Sequence, residues 1–276
     1  MSDSKINGFL SPALRLETRK ELREKFNLGF GILEDLNRVC LEVIEAGQLT
    51  PDKATDAKKL MFVCFIRLVK SIQASSVLCE MGFANEAANQ ARAAMETVII
   101  MSFLRHKPSE TVALLKEQDL ANVVRRANAH IYAEKDGDVP NEKIVNALQD
   151  EIKKAYAENG GSKPRDLNIG GQIDTWKLKD AALYKGPFQM LSAFGAHTTL
   201  RALNSLSEDG KDGAQFKYGV VLGGLEEVLA MNCLALIQGY QLVMESLDRS
   251  ADIRIHHELL AIAAHYYLDV IPQGVL

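Results

Sequence analysis

The chain has 276 residues, of which 47% are hydrophobic and 25% are charged, a composition that excludes disordered, collagen-like and disulfide-scaffold proteins. Its 32 basic and 36 acidic side chains give a net charge of -4, so no overall positive field attracts nucleic acid or an anionic membrane, and any nucleic-acid site has to be local. The length suits one large core, and we expect a single helical domain over residues 1–276.

The first 106 residues contain three predicted helices. Apolar residues recur every three or four positions from Glu17 to Ala46, which predicts an amphipathic helix. A proline in the first turn starts a second helix at Thr50, and it reaches Met81. A third runs from about Ala84 to His106, and its end is apolar on all sides, so we expect that end to be central.

The next segments are more polar. Pro108 begins a fourth helix that reaches about Glu134, and a charged fifth helix over Glu142 to Glu158 is expected at the surface. Four glycines between Asn159 and Gln172 predict a flexible connection, at about residues 159–172.

The last third completes an all-α multi-helix bundle of eight or nine helices without β-sheet. We expect Gly186-Pro187 to interrupt the chain before a helix that ends near Leu206. The later predicted segments are a short helix before this break, a polar turn, a long helix and a final amphipathic helix: Thr175–Tyr184, Ser207–Gly213, Tyr218–Leu247 and Ile253–Val270. The most lipid-like window, Val228 to Met244, contains Asn and Gln and is expected to be a buried core helix.

The cysteines and the N-terminus indicate a cytoplasmic protein. The first ten residues are polar and lack the pattern of a signal peptide. The four cysteines form no CxxC pair, which favours reduced, buried thiols over disulfides or a zinc site. They are Cys40, Cys64, Cys79 and Cys233.

Several common cofactor and metal sites are excluded by motif. The chain contains no GxGxxG, GxxxxGK[ST] or GxSxG sequence, and neither ExxH nor HExxH. We therefore expect no cofactor and no metal, and the sequence does not decide whether the protein is an enzyme.

A polar seam on the third predicted helix is the leading site candidate. Arg92 and Glu96 lie one turn apart in apolar surroundings, where a carboxylate needs a partner. His197 falls on an apolar stripe of a later helix, and Tyr184 and Ser192 lie near it in sequence. If these five side chains converge, they form a polar pocket between helices. The alternative is structural: a buried ion pair that fixes helix register, and a histidine satisfied within the core.

Two blocks of the chain resemble a known family. Leu78–Gly82, Glu86-Ala87 and Arg92–Thr97 resemble the "a-r-s-x-x-E-t" helix of an uncharacterised bacterial family, domain of unknown function 5677. Tyr184 followed by Leu191–His197 resembles its second block, a tyrosine followed by "l-S-x-x-x-H". The resemblance covers about Leu60 to Leu206 and implies that Arg92, Glu96, Ser192 and His197 are the family's motif positions. It implies no activity.

We therefore expect an uncharacterised cytoplasmic helical-bundle protein whose polar pocket binds a small molecule or a protein partner. The pocket residues are Arg92, Glu96, Tyr184, Ser192 and His197, and the catalytic candidates among them are His197, Glu96 and Arg92.

The alternative is a metal-independent, HEPN-like endoribonuclease of the toxin or phage-defence type. Such bundles cleave RNA with an arginine and a following histidine that are separated by four to six residues, as in Arg125–His130 and Arg249–His256. Composition alone gives about one such match by chance. Under this alternative a local groove with Lys163 and Arg165 would bind the RNA.

A homodimer is also expected. The amphipathic helices at both termini, and especially an apolar stripe on the C-terminal one, could bury against a second copy. Its residues are Leu259, Ile262, Ala263 and Tyr266. No membrane partner is expected.

Overall fold

A computed structural model describes residues 11–46, 55–136, 141–176, 181–192, 207–210, 213–216, 222–249 and 253–271. Within these ranges ten helices and a two-stranded hairpin follow one another. In chain order they are α1 Pro12–Lys25, α2 Asn27–Ala46, α3 Asp56–Glu80, α4 Ala84–His106, α5 Pro108–Asp136, α6 Glu142–Glu158, α7 Ile169–Trp176, α8 Ala181–Leu191, β1 Ser207–Gly210, β2 Gly213–Phe216, α9 Leu225–Ser246 and α10 His257–Val270. The predicted all-α class is confirmed, with ten helices against the eight or nine expected.

The contacts within the chain divide it into two compact units. The first comprises Met1–Arg105 and Lys177–Leu276, and the second comprises His106–Trp176. The first unit therefore contains α1 to α4 and α8 to α10, and the second contains α5 to α7. The single domain over residues 1–276 stays a prediction.

Helix α9 is the centre of the first unit. It packs against α2, α3 and α10, and sixteen of its residues are buried. Gly239 permits the contact with α3, because a Cβ atom at this position would collide with Cδ2 of Leu68. The expectation of a buried core helix over Val228 to Met244 is confirmed.

The end of α4 is buried, as its sequence predicts. Val98, Ile99 and Met101 are each 0% exposed. A helix that is apolar around its whole circumference has to be enclosed by protein or lipid, and these residues meet that requirement within the chain.

Two described helices are long and apolar enough to cross a membrane. In the most apolar window of α9, 83% of the residues are buried, which is typical of the core of a soluble protein. In the corresponding window of α3 only 39% are buried. Helix α3 thus keeps apolar side chains at the surface.

The single helix predicted from Glu17 to Ala46 is two helices. Helix α1 ends at Lys25, and Phe26 leaves helical geometry with φ at -112° and ψ at 34°. The break turns α1 so that Arg19 and Arg23 both pair with the buried carboxylate of Glu80 in α3. A tertiary contact therefore overrides the local helix periodicity.

The glycine-rich connection is shorter than predicted. Residues 159–168 are irregular, but α7 begins at Ile169. Asn168 caps this helix, because its Oδ1 accepts a hydrogen bond from the backbone N–H of Gly171 over 3.0 Å. The cap explains why two glycines inside the predicted loop are helical. Of the short helix expected over Thr175–Tyr184, residues 175–176 belong to α7 and residues 181–184 to α8, and residues 177–180 lie outside the described residues.

Two further predictions for the last third need correction. Pro187 does not break the chain but lies inside α8 and is buried. A β-hairpin, β1 paired antiparallel with β2, replaces the polar turn expected at Ser207–Gly213. The helix predicted beyond Leu191 falls on residues 193–206, which lie outside the described residues.

Candidate functional site

Arg92 and Glu96 form the ion pair expected from their spacing. Nη2 of Arg92 lies 3.1 Å from Oε1 of Glu96, one turn further along α4. The two side chains are 28% and 33% exposed, so the pair is half-buried and open to solvent on one side. It therefore differs from a fully enclosed structural pair.

Phe188 joins this pair from helix α8. The guanidinium carbon of Arg92 lies over its ring, 5.0 Å from the ring centroid, which is a cation–π contact. The contact brings α8 against α4, within the first unit. We name Arg92, Glu96 and Phe188 together the Arg92 site.

One donor atom of the Arg92 site is unsatisfied. Nε of Arg92 is buried and has no hydrogen-bond partner. Buried N–H groups without an acceptor are rare in native proteins, because the lost hydration is not replaced. The guanidinium thus has one enclosed N–H without an acceptor, while Glu96 pairs with its Nη2.

Sequence reasoning missed Phe188 but identified its neighbours. Ser192 lies one turn after Phe188, and its hydroxyl donates a hydrogen bond to the Phe188 carbonyl oxygen over 2.8 Å. Tyr184 lies one turn before Phe188 in α8, and its side chain is outside the described residues. The available signal was the aromatic residue four positions before Ser192. His197 lies outside the described residues, so its place in the pocket stays a prediction.

The side chains nominated for RNA cleavage do not share a face of α5. His130 lies five positions after Arg125, and this spacing by itself turns the two side chains about 140° apart on a helix. Arg125 pairs with Asp166 and donates a hydrogen bond to Oδ1 of Asn122 over 3.0 Å, whereas His130 is exposed. Arg125 is therefore held by an exposed carboxylate within the second unit.

The second nominated pair has a packing role. His256 contacts the ring of Tyr240 edge to face, with the ring centroids 5.8 Å apart. Arg249 follows the end of α9, where its backbone N–H donates to the carbonyl oxygen of Met244 over 2.9 Å.

The irregular segment over residues 159–168 is anchored within the second unit. Glu117 of α5 accepts hydrogen bonds from the backbone N–H of Arg165 over 2.9 Å and from its Nε over 3.0 Å. The guanidinium of Arg165 lowers the pKa of the Glu117 carboxyl below its ordinary value. The backbone N–H of Leu167 also donates to Oε1 of Gln118. The guanidinium of Arg165, which we expected in an RNA groove, is thus already paired with the Glu117 carboxylate.

No metal centre is formed in the part of the chain that the structure describes. Among these residues, no three His, Cys, Asp or Glu side chains are grouped so that they could hold an ion. The chemistry available at the Arg92 site is hydrogen bonding and stacking.

A comparison with known families finds a match, and it covers the part of the chain that contains the Arg92 site. The family of unknown function DUF5677 matches residues 58–214. The chain belongs to this family. The resemblance expected over about Leu60 to Leu206 is confirmed, and the matched segment contains Arg92, Glu96 and Phe188. No curated protein and no solved structure matches the chain significantly.

Membership in DUF5677 has a limited consequence for function. The family has no known activity, so it brings no reaction to the Arg92 site. Helices α1, α2, α9 and α10 lie outside the matched segment.

Proposed function

We propose that this DUF5677 protein binds a small molecule at the Arg92 site, without catalysis. We include Tyr184, Ser192 and His197 as further members of the pocket, on the strength of their positions near Phe188 in sequence. The four cysteines are free, which supports the reducing, cytoplasmic location that we also propose.

The unpartnered Nε of Arg92 is the observation that carries this proposal. Its N–H is enclosed by protein and lacks an acceptor, so a bound oxygen atom supplies one when the guanidinium turns towards the open side of the pair. The open side of the Arg92–Glu96 pair gives a small ligand access, since about a third of each side chain is exposed. A protein partner would need a much larger surface than these three residues offer.

The charges of the site favour a neutral ligand. Glu96 already balances the charge of Arg92 at 3.1 Å, so a second anion would meet a carboxylate. A ligand with a carbonyl oxygen beside an N–H group matches both residues, because Arg92 donates and Glu96 accepts. Planar amides and nucleobase edges have this arrangement.

The test is ligand-observed NMR with defined probes. Saturation transfer from the protein is measured to uracil, acetamide, acetate and inorganic phosphate. We expect transfer to uracil and acetamide, and little to acetate and phosphate. The variant Arg92→Ala should lose the signal, since the unpartnered donor and the stacked guanidinium are both removed.

Arg38→Ala is the matched control. Arg38 forms a comparable local ion pair with Asp35 on α2, so its removal should leave uracil binding unchanged. The proposal is wrong if uracil and acetamide give no transfer, or if Arg92→Ala binds them as well as the wild type. Stronger transfer to acetate or phosphate would instead assign an anion site.

A further inference from the structure

Helix α3 exposes an apolar face of the first unit. Val63 and Val77 are 59% and 57% exposed, and Ala74 lies exposed between them on the same side of the helix. Less than half of the most apolar window of α3 is buried. Arg67 and Lys70 lie between Val63 and Ala74 on the same side of the helix, so this face combines apolar and basic side chains.

A groove continues this face towards α2. Its apolar lining comes from Leu33, Ile72 and Val77, and its volume is about 190 Å³. Asn37 of α2 and Gln73 of α3 are joined by a hydrogen bond of 3.1 Å at its edge. The groove and the exposed face of α3 form one surface, which we call the α2–α3 face.

Charge is sorted across the α2–α3 face. The exposed acidic residues of α2 are Glu34, Glu42 and Glu45, and the exposed basic residues of α3 are Lys59, Arg67 and Lys70. Arg38 is the only basic residue of α2, and the acidic residues of α3 are Asp56 in its first turn and the buried Glu80. Arg23 of α1 pairs with Glu34, so Glu42 and Glu45 supply the negative charge on one side of the apolar groove, and the basic residues of α3 make the other side positive.

We propose that a second copy of this chain docks on the α2–α3 face. In a two-fold dimer whose axis runs parallel to the helices, α3 of one copy packs on α2 of the other. The basic side of each copy then meets the acidic side of its partner, with the apolar groove along the axis. An axis across the helices would place like charges together, so the charge pattern selects the first arrangement.

The expected register follows from the antiparallel packing of α2 and α3. Asn37 of α2 lies level with Gln73 of α3. Glu42, five residues further along α2, is therefore level with Leu68, five residues further back in α3 and next to Arg67. Across the two-fold axis Arg67 therefore faces Glu42 of the second copy, with Lys70 and Glu45 about one turn to either side.

The area of the α2–α3 face suits a reversible dimer. Helix α2 has 20 residues, so it is about 30 Å long, and neighbouring helices lie about 10 Å apart. Two helices side by side therefore offer about 600 Å² per copy, or about 1,200 Å² in total, which is the lower end for specific complexes. We expect dissociation on dilution.

The stripe first expected to form the dimer is occupied within the chain. Ala263 and Tyr266 of α10 are 0% and 6% exposed, and the Tyr266 hydroxyl approaches Gly29 of α2 so closely that a Cβ there would collide with it. Ile262 is 54% exposed, but its buried neighbours Ala263 and Tyr266 add no accessible surface to the stripe. The α2–α3 face is therefore the better candidate.

The mass of the full chain in solution, by light scattering over a dilution series, tests the proposal. We expect twice the chain mass of 30.4 kDa at high concentration. Arg67→Glu with Lys70→Glu should raise the dissociation constant at least about tenfold, because like charges then face each other. Glu42→Lys with Glu45→Lys should do the same, and all four substitutions together should restore the dimer.

Controls separate this result from misfolding. All four residues are exposed, so far-UV circular dichroism should be unchanged in every variant. Lys153→Glu with Lys154→Glu, on exposed positions of α6, should leave the dimer intact. The proposal is overturned if the wild type is a monomer at every concentration, if each charge reversal leaves it dimeric, or if the fourfold variant is monomeric. A monomer that sediments with phosphatidylcholine and phosphatidylserine vesicles would assign the face to lipid instead.

Discussion

The side-chain amide of Asn232 in α9 donates a hydrogen bond to the hydroxyl oxygen of Ser75 in α3 over 2.9 Å. Ser75 in turn donates to the carbonyl oxygen of Ala87 in α4 over 2.9 Å. Asn232 and Ser75 are both 0% exposed. Ser75 and Ala87 belong to the segment that matches DUF5677, whereas Asn232 does not. The family segment and the helix after it therefore share one core.

Replacing Ser75 should destabilise this core. In Ser75→Ala the buried amide of Asn232 loses its acceptor and the Ala87 carbonyl its donor, a cost of about 1–3 kcal/mol in the free energy of unfolding. Urea denaturation should show a lower midpoint with an unchanged slope. Ser76→Ala, at the neighbouring half-buried position, is the control and should change stability by less than about 0.5 kcal/mol.

A double variant distinguishes this hydrogen bond from packing. Ser75→Ala with Asn232→Leu removes both polar partners, so it should be less destabilising than the sum of the two single changes. Strict additivity would show that Asn232 and Ser75 do not interact in solution.

The thiols should differ sharply in reactivity. Burial raises the pKa of Cys40, Cys79 and Cys233 to about 12, and that of the less buried Cys64 to about 11, with the charge of Arg67 opposing the rise. The thiolate is the reactive form. Folded protein treated with Ellman's reagent near pH 8 should therefore label slowly and at Cys64 first.

The matched variant for this measurement is Cys64→Ser. It should abolish the first labelling phase and leave three thiols that react on unfolding in urea. Rapid labelling of all four thiols in the folded wild type would contradict the buried positions of Cys40, Cys79 and Cys233.

Sequence periodicity predicted the elements that bury a continuous apolar face. It identified α4 and α9, where long apolar runs predict burial and apolar residues such as Val98 and Leu236 are 0% exposed. It also predicted the Arg92–Glu96 pair, because residues four apart on a helix are neighbours in space.

The features that the sequence did not predict depend on contacts distant in the chain. The break at Phe26 accompanies the pairing of Arg19 and Arg23 with Glu80, more than fifty positions away. Phe188 meets Arg92 only because α8 packs on α4. The tendency of proline to break helices likewise predicted a break at Pro187, whereas α8 continues through this residue.

Removing the Glu117 carboxylate should release the segment over residues 159–168. In Glu117→Ala the Arg165 backbone N–H loses its acceptor at 2.9 Å. Its hydrogen exchange, followed by mass spectrometry, should become faster, and that of Leu167 should follow. Asp119→Ala, an exposed acidic position nearby on α5, is the control and should leave the exchange unchanged.

The same contact should weaken in acid. The pKa of Glu117 is lowered, chiefly by its hydrogen bond with Arg165, so the folded form favours the charged carboxylate. Its stabilising effect is complete above the ordinary value of 4.5 and is lost as the pH falls below it, through the lowered pKa. Exchange at Arg165, corrected for its intrinsic pH dependence, that stays constant through this range would contradict the contact.

The chain should leave RNA intact in buffer without metal at near-neutral pH. General acid–base cleavage needs a histidine and a cation that reach the same phosphate. Arg125 is instead paired with Asp166. Cellular RNA incubated with the wild type, His130→Ala and His197→Ala should therefore give the same fragment pattern as buffer alone.

The opposite result would change the assignment of the whole protein. Fragmentation that increases with time in the wild type and disappears in one of the two variants, with circular dichroism unchanged, would identify a ribonuclease and its histidine. Loss in His130→Ala would point to Arg126 as the cation, since it lies one turn before His130 on the same face of α5. Its ion pair with Glu151, at 3.7 Å, is longer than the pair of Arg125 with Asp166. Arg126→Ala would then have to abolish cleavage as well, whereas Arg125→Ala would not.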